Sequence, residues 1–217
     1  MLANTSQLET IIDQDAAVAQ IFRNFLPAEY ANELLQYLLK NTEWEQHRHN
    51  VGMENRVTYR MGDSGVIHGY TGQDQFVSKY SLTEQPIGCV KPWLEPVRKL
   101  RDLLNQLYNT TFNAALLNCY RNGNDYIGMH SDRECLPPRY IVIALSLGQR
   151  RDFHFRRKSF NSTNNPLIKT YMDNGDMMLM YGRCQELYKH GVPARKGQKD
   201  ANMGIRISIT FRELTKH

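Results

Sequence analysis

The chain has 217 residues, of which 41% are hydrophobic and 23% charged, with a formal net charge of +5 and a pI near 9.0. That is enough chain for one domain with a real core, or one domain with an insertion, at an ordinary globular composition. No run of about 18 apolar residues is present, which excludes a membrane-spanning helix, and the positive balance favours polyanionic partners without specifying one.

The lead-in, residues 1–18, is polar. It carries acids and no basic segment followed by an apolar stretch, so it does not read as a signal peptide; the domain is expected over 19–217. Ile21 to Leu26 reads as a short strand. Pro27 then suits the first turn of a helix that runs to Lys40, with Ala31, Leu34, Leu35 and Leu38 on one face. A second helix begins near Trp93 and places Val97, Leu100, Leu104 and Leu107 at helical spacing. Both stripes predict helices packed on a sheet.

Between the helices, residues 43–88 are rich in Gly, Ser, Thr, Tyr and His and would make poor core. Long connections inside a compact domain are often lids or binding loops, so this stretch is the expected substrate-facing element. From Phe112 onward the pattern turns to short strands: Ala114–Tyr120, Tyr140–Leu147, Phe153–Arg157, Ile168–Met172, Met177–Tyr181 and Ile205–Phe211. Asn174-Gly175, between the fourth and fifth, is a hairpin-turn signal. The expected class is α+β, mainly β, with a jelly-roll core.

Four cysteines, Cys89, Cys119, Cys135 and Cys184, form no CxxC pair. Free thiols in a reducing, intracellular compartment are expected, the nucleus in a eukaryote or the cytoplasm in a bacterium. Met177, Met178 and Met180 read as core and His154 as outward-facing on its strand. His47, His49 and His68 read as surface or lid residues, and Cys135 as a bystander.

His130-Ser131-Asp132 is the first chemical signal. Residues i and i+2 of a strand point the same way, so His130 and Asp132 can meet one metal, with His190 arriving from a separate strand. Two imidazoles and one carboxylate on one face suit a non-haem Fe(II) centre with open positions. Alone, an HxD is equally a capping Asp beside a hydrogen-bonded surface His. The second signal is Arg206-Ile-Ser-Ile-Thr-Phe-Arg212, whose alternation puts Arg206, Ser208, Thr210 and Arg212 on one face. Such a face is either an exposed edge with solvated arginines or a site where forked guanidinium groups bind carboxylates.

Several ordered motifs surround these signals. They are Asn118-Cys-Tyr120-Arg-Asn-Gly123, His130-Ser-Asp132-Arg-Glu134, Ser146-Leu-Gly148, and Arg151-Asp-Phe-His-Phe-Arg156. After them come Gly175-Asp176, Gly182, Gln185, His190-Gly-Val-Pro193 and the arginine strand. Over roughly the C-terminal half the chain resembles the AlkB family of Fe(II)- and 2-oxoglutarate-dependent nucleic-acid dealkylases; residues 58–72 resemble the family's nucleotide-recognition lid more loosely.

The resemblance implies a double-stranded β-helix with N-terminal helices on its sheet. It implies iron ligands at His130, Asp132 and His190, and diacid-gripping arginines at Arg206 and Arg212. It also implies cosubstrate contacts from Asn118, Tyr120 and Ser208. Glu134, Tyr70, Arg56 and Arg151 become the expected substrate residues, with Tyr70 stacking on a flipped base and His130 against its other face. The implied cofactors are Fe(II), 2-oxoglutarate and O2; the implied partner is alkylated DNA, or RNA, met by a monomer with no membrane contact.

The implied reaction is oxidative dealkylation of bases such as 1-methyladenine and 3-methylcytosine. Arg150, Arg151, Arg156, Arg157, Lys158, Arg195, Lys196 and Lys199 form a basic rim, either solvated or against phosphates. The sequence departs from the family at Ser208, where Asn is frequent, at Asn55, where Pro is common, and at Met61, where an aromatic is common. Two rivals stand beside this function: a 2-oxoglutarate oxygenase acting on a protein or small molecule, and a non-catalytic nucleic-acid binder.

Overall fold

The computed structural model describes residues 7–46, 48–49, 52–66, 90–132, 141–158, 165–195, 197 and 203–214. In chain order its elements are β1 (Gln7–Gln14), β2 (Ala17–Arg23), α1 (Ala28–Asn41), β3 (Arg48–His49), β4 (Gly52–Met53), β5 (Val57–Gly62) and α2 (Glu95–Tyr108). Then follow β6 (Ala114–Tyr120), β7 (Ile127–His130), β8 (Val142–Gly148), β9 (Arg151–Arg157), β10 (Ile168–Met172), β11 (Met177–Gly182), α3 (Cys184–Leu187), β12 (Tyr188–Val192) and β13 (Arg206–Arg212).

One antiparallel sheet runs β1-β2-β11-β8-β13-β6-β5 and a second runs β10-β9-β12-β7; β3 and β4 pair separately. From β6 on the chain crosses between the two large sheets at almost every step, β9 to β10 being the exception. That alternation winds a double-stranded β-helix, the expected fold class.

Two apolar cores bracket the larger sheet. On one face Leu34, Leu38, Val97, Leu100 and Leu104 of the helices meet Leu117, Leu145, Leu147, Ile207, Ile209 and Phe211. On the other, Ala144, Met178 and Met180 meet Phe153, Phe155 and Val192 of the smaller sheet. Each fully buried Leu or Phe contributes about 1.5–3 kcal/mol. With both faces covered, all seven residues of β13 are buried, the arginines included. It lies between β8 and β6, so the arginine strand is no exposed edge.

Several expectations are corrected. The polar lead-in expected over 1–18 is, from Gln7, a hairpin of β1 and β2 that extends the larger sheet. As an edge strand, β1 buries only Ile12 and needs no apolar alternation. Its turn uses Asp15 and Ala16 at φ 53° and 60°, conformations usually signalled by Gly or Asn. The strand expected over Ile21–Leu26 is therefore Ala17–Arg23.

Within the expected lid, Val57–Gly62 is a strand paired along β6, with Tyr59 and Met61 in the core. Leu107 is 48% exposed and falls off the apolar face of α2. Asn174-Gly175 joins β10 to β11 across the two sheets and closes no hairpin. Gly175 has φ +83°, and a Cβ there would meet Leu26 O at 2.4 Å. Cys119 and Cys184 are free, buried thiols, pushed up by burial to about 11 and about 12 respectively. Cys89, Cys135, His47 and His68 lie outside the described residues.

Candidate metal and cosubstrate site

β12 pairs with β7 so that His190 stands directly opposite His130, and the ring centroids are 4.5 Å apart. Asp132 follows the end of β7 and completes the triad; one ligand atom from each residue lies within 4.8 Å of the others. His130 Nε2 is 3.6 Å from Asp132 Oδ1, and His190 Nε2 is 3.6 Å from Asp132 Oδ2. Three groups with lone pairs thus face one point.

Neighbours hold each group in place. His130 Nδ1 lies 2.9 Å from Gly128 O, and donating there leaves Nε2 as the ligating nitrogen. Ser131 Oγ donates to Tyr188 O at 2.7 Å, and the Asp132 N–H donates to Gln185 Oε1 at 2.9 Å. Phe153 stacks on His190 with 5.5 Å between centroids and 13° between planes. Gly128 and Phe153 orient the two imidazole rings, and Tyr188 and Gln185 fix the backbone that carries Asp132.

Charge keeps the triad in its ligating state. Burial pushes the Asp132 carboxyl up, but Arg212 above all, and then the two imidazoles, hold it well below the usual carboxylate range. Burial pushes His190 down to about 3, with His130 and Arg212 adding to the shift and Asp132 opposing it. An ionised carboxylate beside a neutral imidazole is what metal binding requires.

The other end of the pocket is built from β13 and β6. Arg206, 1% exposed, donates from Nε to Ser146 Oγ at 3.0 Å and lies with Cζ 5.2 Å from the Tyr120 ring centroid. Its Nη1 has no hydrogen-bond partner among the described residues, and burial lowers its pKa. A buried guanidinium with an unused donor and no ion pair among the described residues is costly unless an anion joins it. Register places Thr58, Asn118, Ser208 and Ser146 in one polar row across four strands.

His130, Asp132, His190, Asn118, Tyr120, Arg206, Ser208 and Arg212 all line one pocket, together with Leu116, Ile127, Ala144, Phe153, Met180, Val192 and Thr210. The donor set fits Fe(II) at the triad, and the unfilled Arg206 donor fits a carboxylate.

The expected substrate residues fare differently. Arg56 donates from Nε to Asn118 Oδ1 at 2.5 Å, so it contacts a pocket-lining side chain without lining the pocket itself. Arg151 is 1% exposed, donates to the carbonyls of Asn122, Asp125 and Pro193, and does not line the pocket. Glu134 and Tyr70 lie outside the described residues.

Much of the basic rim is already paired: Arg150 with Asp173 at 2.5 Å, Arg157 with Asp15 at 2.6 Å and Arg195 with Asp152 at 2.7 Å. Lys158 donates to Gln185 O at 2.8 Å, whereas Arg156 is exposed; Lys196 and Lys199 lie outside the described residues. Sequence reasoning gave no role to Phe153, Ser146 or Gln185. Strand alternation could have found Phe153, while the placement of Ser146 and Gln185 depends on which strands become neighbours. Met61 finds an explanation in core packing; at position 55 the structure shows only a backbone carbonyl accepting Tyr126 N–H at 3.0 Å, which does not account for Asn in place of Pro.

The family profile described as the 2OG-Fe(II) oxygenase superfamily matches residues 18–212. The chain belongs to that superfamily. Within it the sequence groups with AlkB homologues. It is 29% identical to human DNA oxidative demethylase ALKBH2 over 164 residues, covering 73% of this chain and 56% of the relative. It is 27% identical to human alpha-ketoglutarate-dependent dioxygenase alkB homolog 3 over 201 residues, covering 88% of this chain and 64% of that relative. The chain thus spans less than two thirds of the length of either human relative.

The solved structure of OsALKBH1 superposes with a TM-score of 0.61 at 16% identity, covering 90% of this chain and 97% of that one, a likeness of fold. Fe(II), 2-oxoglutarate and O2 are the cofactors of the superfamily, and the triad with its arginine strand is the part of this chain built to take them.

Proposed function

We propose that this protein removes alkyl groups oxidatively from nucleobases, with methylated adenine and cytosine of the 1-methyladenine and 3-methylcytosine type as substrates in DNA or RNA. One observation carries it: a triad able to ligate a metal and a buried, incompletely bonded arginine share one pocket in a chain similar to a human relative named as a DNA oxidative demethylase.

His130, Asp132 and His190 would hold Fe(II). Arg206, with Tyr120 and the polar row of Asn118 and Ser208, would receive one carboxylate of 2-oxoglutarate. When bound, the metal and cosubstrate supply the oxidation of an N-alkyl carbon, which then leaves as an aldehyde. Arg212 keeps Asp132 ionised at neutral pH, and the apolar wall of Leu116, Ile127, Phe153 and Val192 excludes water from the reacting end. The target base must be flipped out or single-stranded to arrive there, at a cost of a few kcal/mol that a damaged, unpaired base reduces.

The test is formaldehyde release from oligonucleotides carrying 1-methyladenine or 3-methylcytosine, in single-stranded DNA, duplex DNA and RNA, with Fe(II), 2-oxoglutarate and a reductant. Release from any of these supports the proposal. Turnover only with a protein or small molecule would move the chain to another oxygenase substrate class. Binding of oligonucleotides with no turnover after Fe(II) reconstitution would favour a non-catalytic binder.

A further inference from the structure

Two guanidinium groups lie against the ring of Tyr120: Arg206 with Cζ at 5.2 Å from the centroid and Arg151 with Cζ at 5.4 Å. Arg206 faces the pocket, whereas Arg151 does not line it. Arg151 instead donates from Nη1 to Asn122 O at 3.1 Å and from Nη2 to Asp125 O at 2.7 Å and Pro193 O at 2.8 Å. Two of those acceptors belong to the segment between β6 and β7. The third lies just past β12, the strand that carries His190.

The arrangement is expensive as a purely structural one. Arg151 is 1% exposed, its Nε has no hydrogen-bond partner among the described residues, and its side-chain bonds go to neutral carbonyls. The nearby Asp125 carboxylate is taken by Arg121 at 2.8 Å, and Asp152 by Arg195 at 2.7 Å. A buried charge held only by neutral acceptors costs several kcal/mol against an apolar side chain of similar size. What it adds here is a second fixed positive charge behind Tyr120, close enough to oppose the charge on Arg206.

We propose that Arg151 is a positioning residue for the Arg206 end of the pocket. Its fork ties three backbone points around Tyr120, fixing the ring against which Arg206 lies, and its charge makes that end select a ligand bearing a carboxylate there. The proposal rests on 2-oxoglutarate being the cosubstrate, with its distal carboxylate at Arg206.

The test is calorimetric binding to the Mn(II)-loaded protein without O2, using 2-oxoglutarate and 2-oxobutanoate, which keeps the 2-oxo acid end and lacks the second carboxylate. Lysine keeps the charge but loses the planar fork and its stacking, so Arg151→Lys should weaken 2-oxoglutarate roughly tenfold. Mn(II) and 2-oxobutanoate binding should stay unchanged. Arg151→Met should weaken 2-oxoglutarate further, and where it fails to fold Arg151→Lys alone decides. In a Tyr120→Leu background the effect of Arg151→Lys should shrink, because the ring through which it acts is gone. In turnover KM for 2-oxoglutarate should rise while kcat holds.

Affinity for 2-oxoglutarate within about twofold of wild type in folded Arg151→Lys overturns the proposal. So does equal weakening of both acids, which would mark a general structural role. Failure of the wild-type protein to bind 2-oxoglutarate is a separate outcome, and it removes the cosubstrate assignment itself.

Discussion

Arg212 Nη2 donates to Asp132 Oδ1 at 2.7 Å, with both side chains buried. The carboxylate that the triad offers to a metal therefore arrives already paired with a cation, held on a strand of the opposite sheet. Removing one partner of a buried pair leaves an uncompensated charge, typically at a cost of 3–5 kcal/mol. Arg212→Met should lower the stability of the metal-free protein by about that amount, read as a shift of the urea midpoint. A shift below about 1 kcal/mol would show that water reaches Asp132 freely.

Acid should destabilise the metal-free protein in a defined window. The unfolded chain protonates His190 near its ordinary value of 6.5, whereas the folded chain holds it at about 3. A depressed folded pKa contributes stability that is fully present above 6.5 and is lost as pH falls from there toward 3. Asp132, also depressed, adds a loss of the same sign below the usual carboxylate range. Chelator-treated protein should show its urea midpoint falling between pH 7 and pH 4, and His190→Asn should flatten that fall. A midpoint that is level or rises on acidification would contradict the buried, neutral imidazole.

Each member of the triad should control metal content. Asp132→Ala and His130→Ala should lose Fe(II) on dialysis and lose turnover with it, as measured by metal analysis beside formaldehyde release. Because Zn and Cu bind such sites more tightly than Fe(II), protein purified with either should recover activity when exchanged for Fe(II) under reductant. Unchanged turnover in His130→Ala would disprove the ligand set.

Arg206 should govern the cosubstrate and not the metal. Each hydrogen bond to a charged group is worth about 1.5–3 kcal/mol, so Arg206→Met should raise KM for 2-oxoglutarate by roughly 10- to 100-fold. Metal stoichiometry should hold, because Arg206 donates to Ser146 and touches no member of the triad. Loss of metal in Arg206→Met would show that the two ends of the pocket are not independent.

Gly175 tests the crossing between the sheets. Its φ of +83° and the 2.4 Å approach of a Cβ to Leu26 O make Gly175→Ala strained in both backbone and space. The expected cost is about 1–3 kcal/mol in thermal or urea unfolding, and an unchanged midpoint would mean that the Asn174-Gly175 turn can relax.

By itself the sequence determined the parts written as period. Arg206, Ser208, Thr210 and Arg212 alternate with Ile207, Ile209 and Phe211, and because a strand turns its side chains over at every residue, one face had to be polar and the other apolar. The stripes of α1 and most of α2 were legible for the same reason, as was the aim of His130 and Asp132 at one point. β1 was not legible, since an edge strand with one face in water needs no apolar alternation. Nor was β5, whose Tyr59 and Met61 become core only by pairing along β6.

Tertiary structure alone decided what each charge meets. Arg151 and Arg156 look equivalent in a basic run, yet one is sealed among three carbonyls and the other is exposed. Arg206 and Arg212 look like a matched pair, yet one lies against Tyr120 and the other on Asp132. A guanidinium's role follows from its acceptors, and these come from strands far away in sequence that only the register of the two sheets brings within reach.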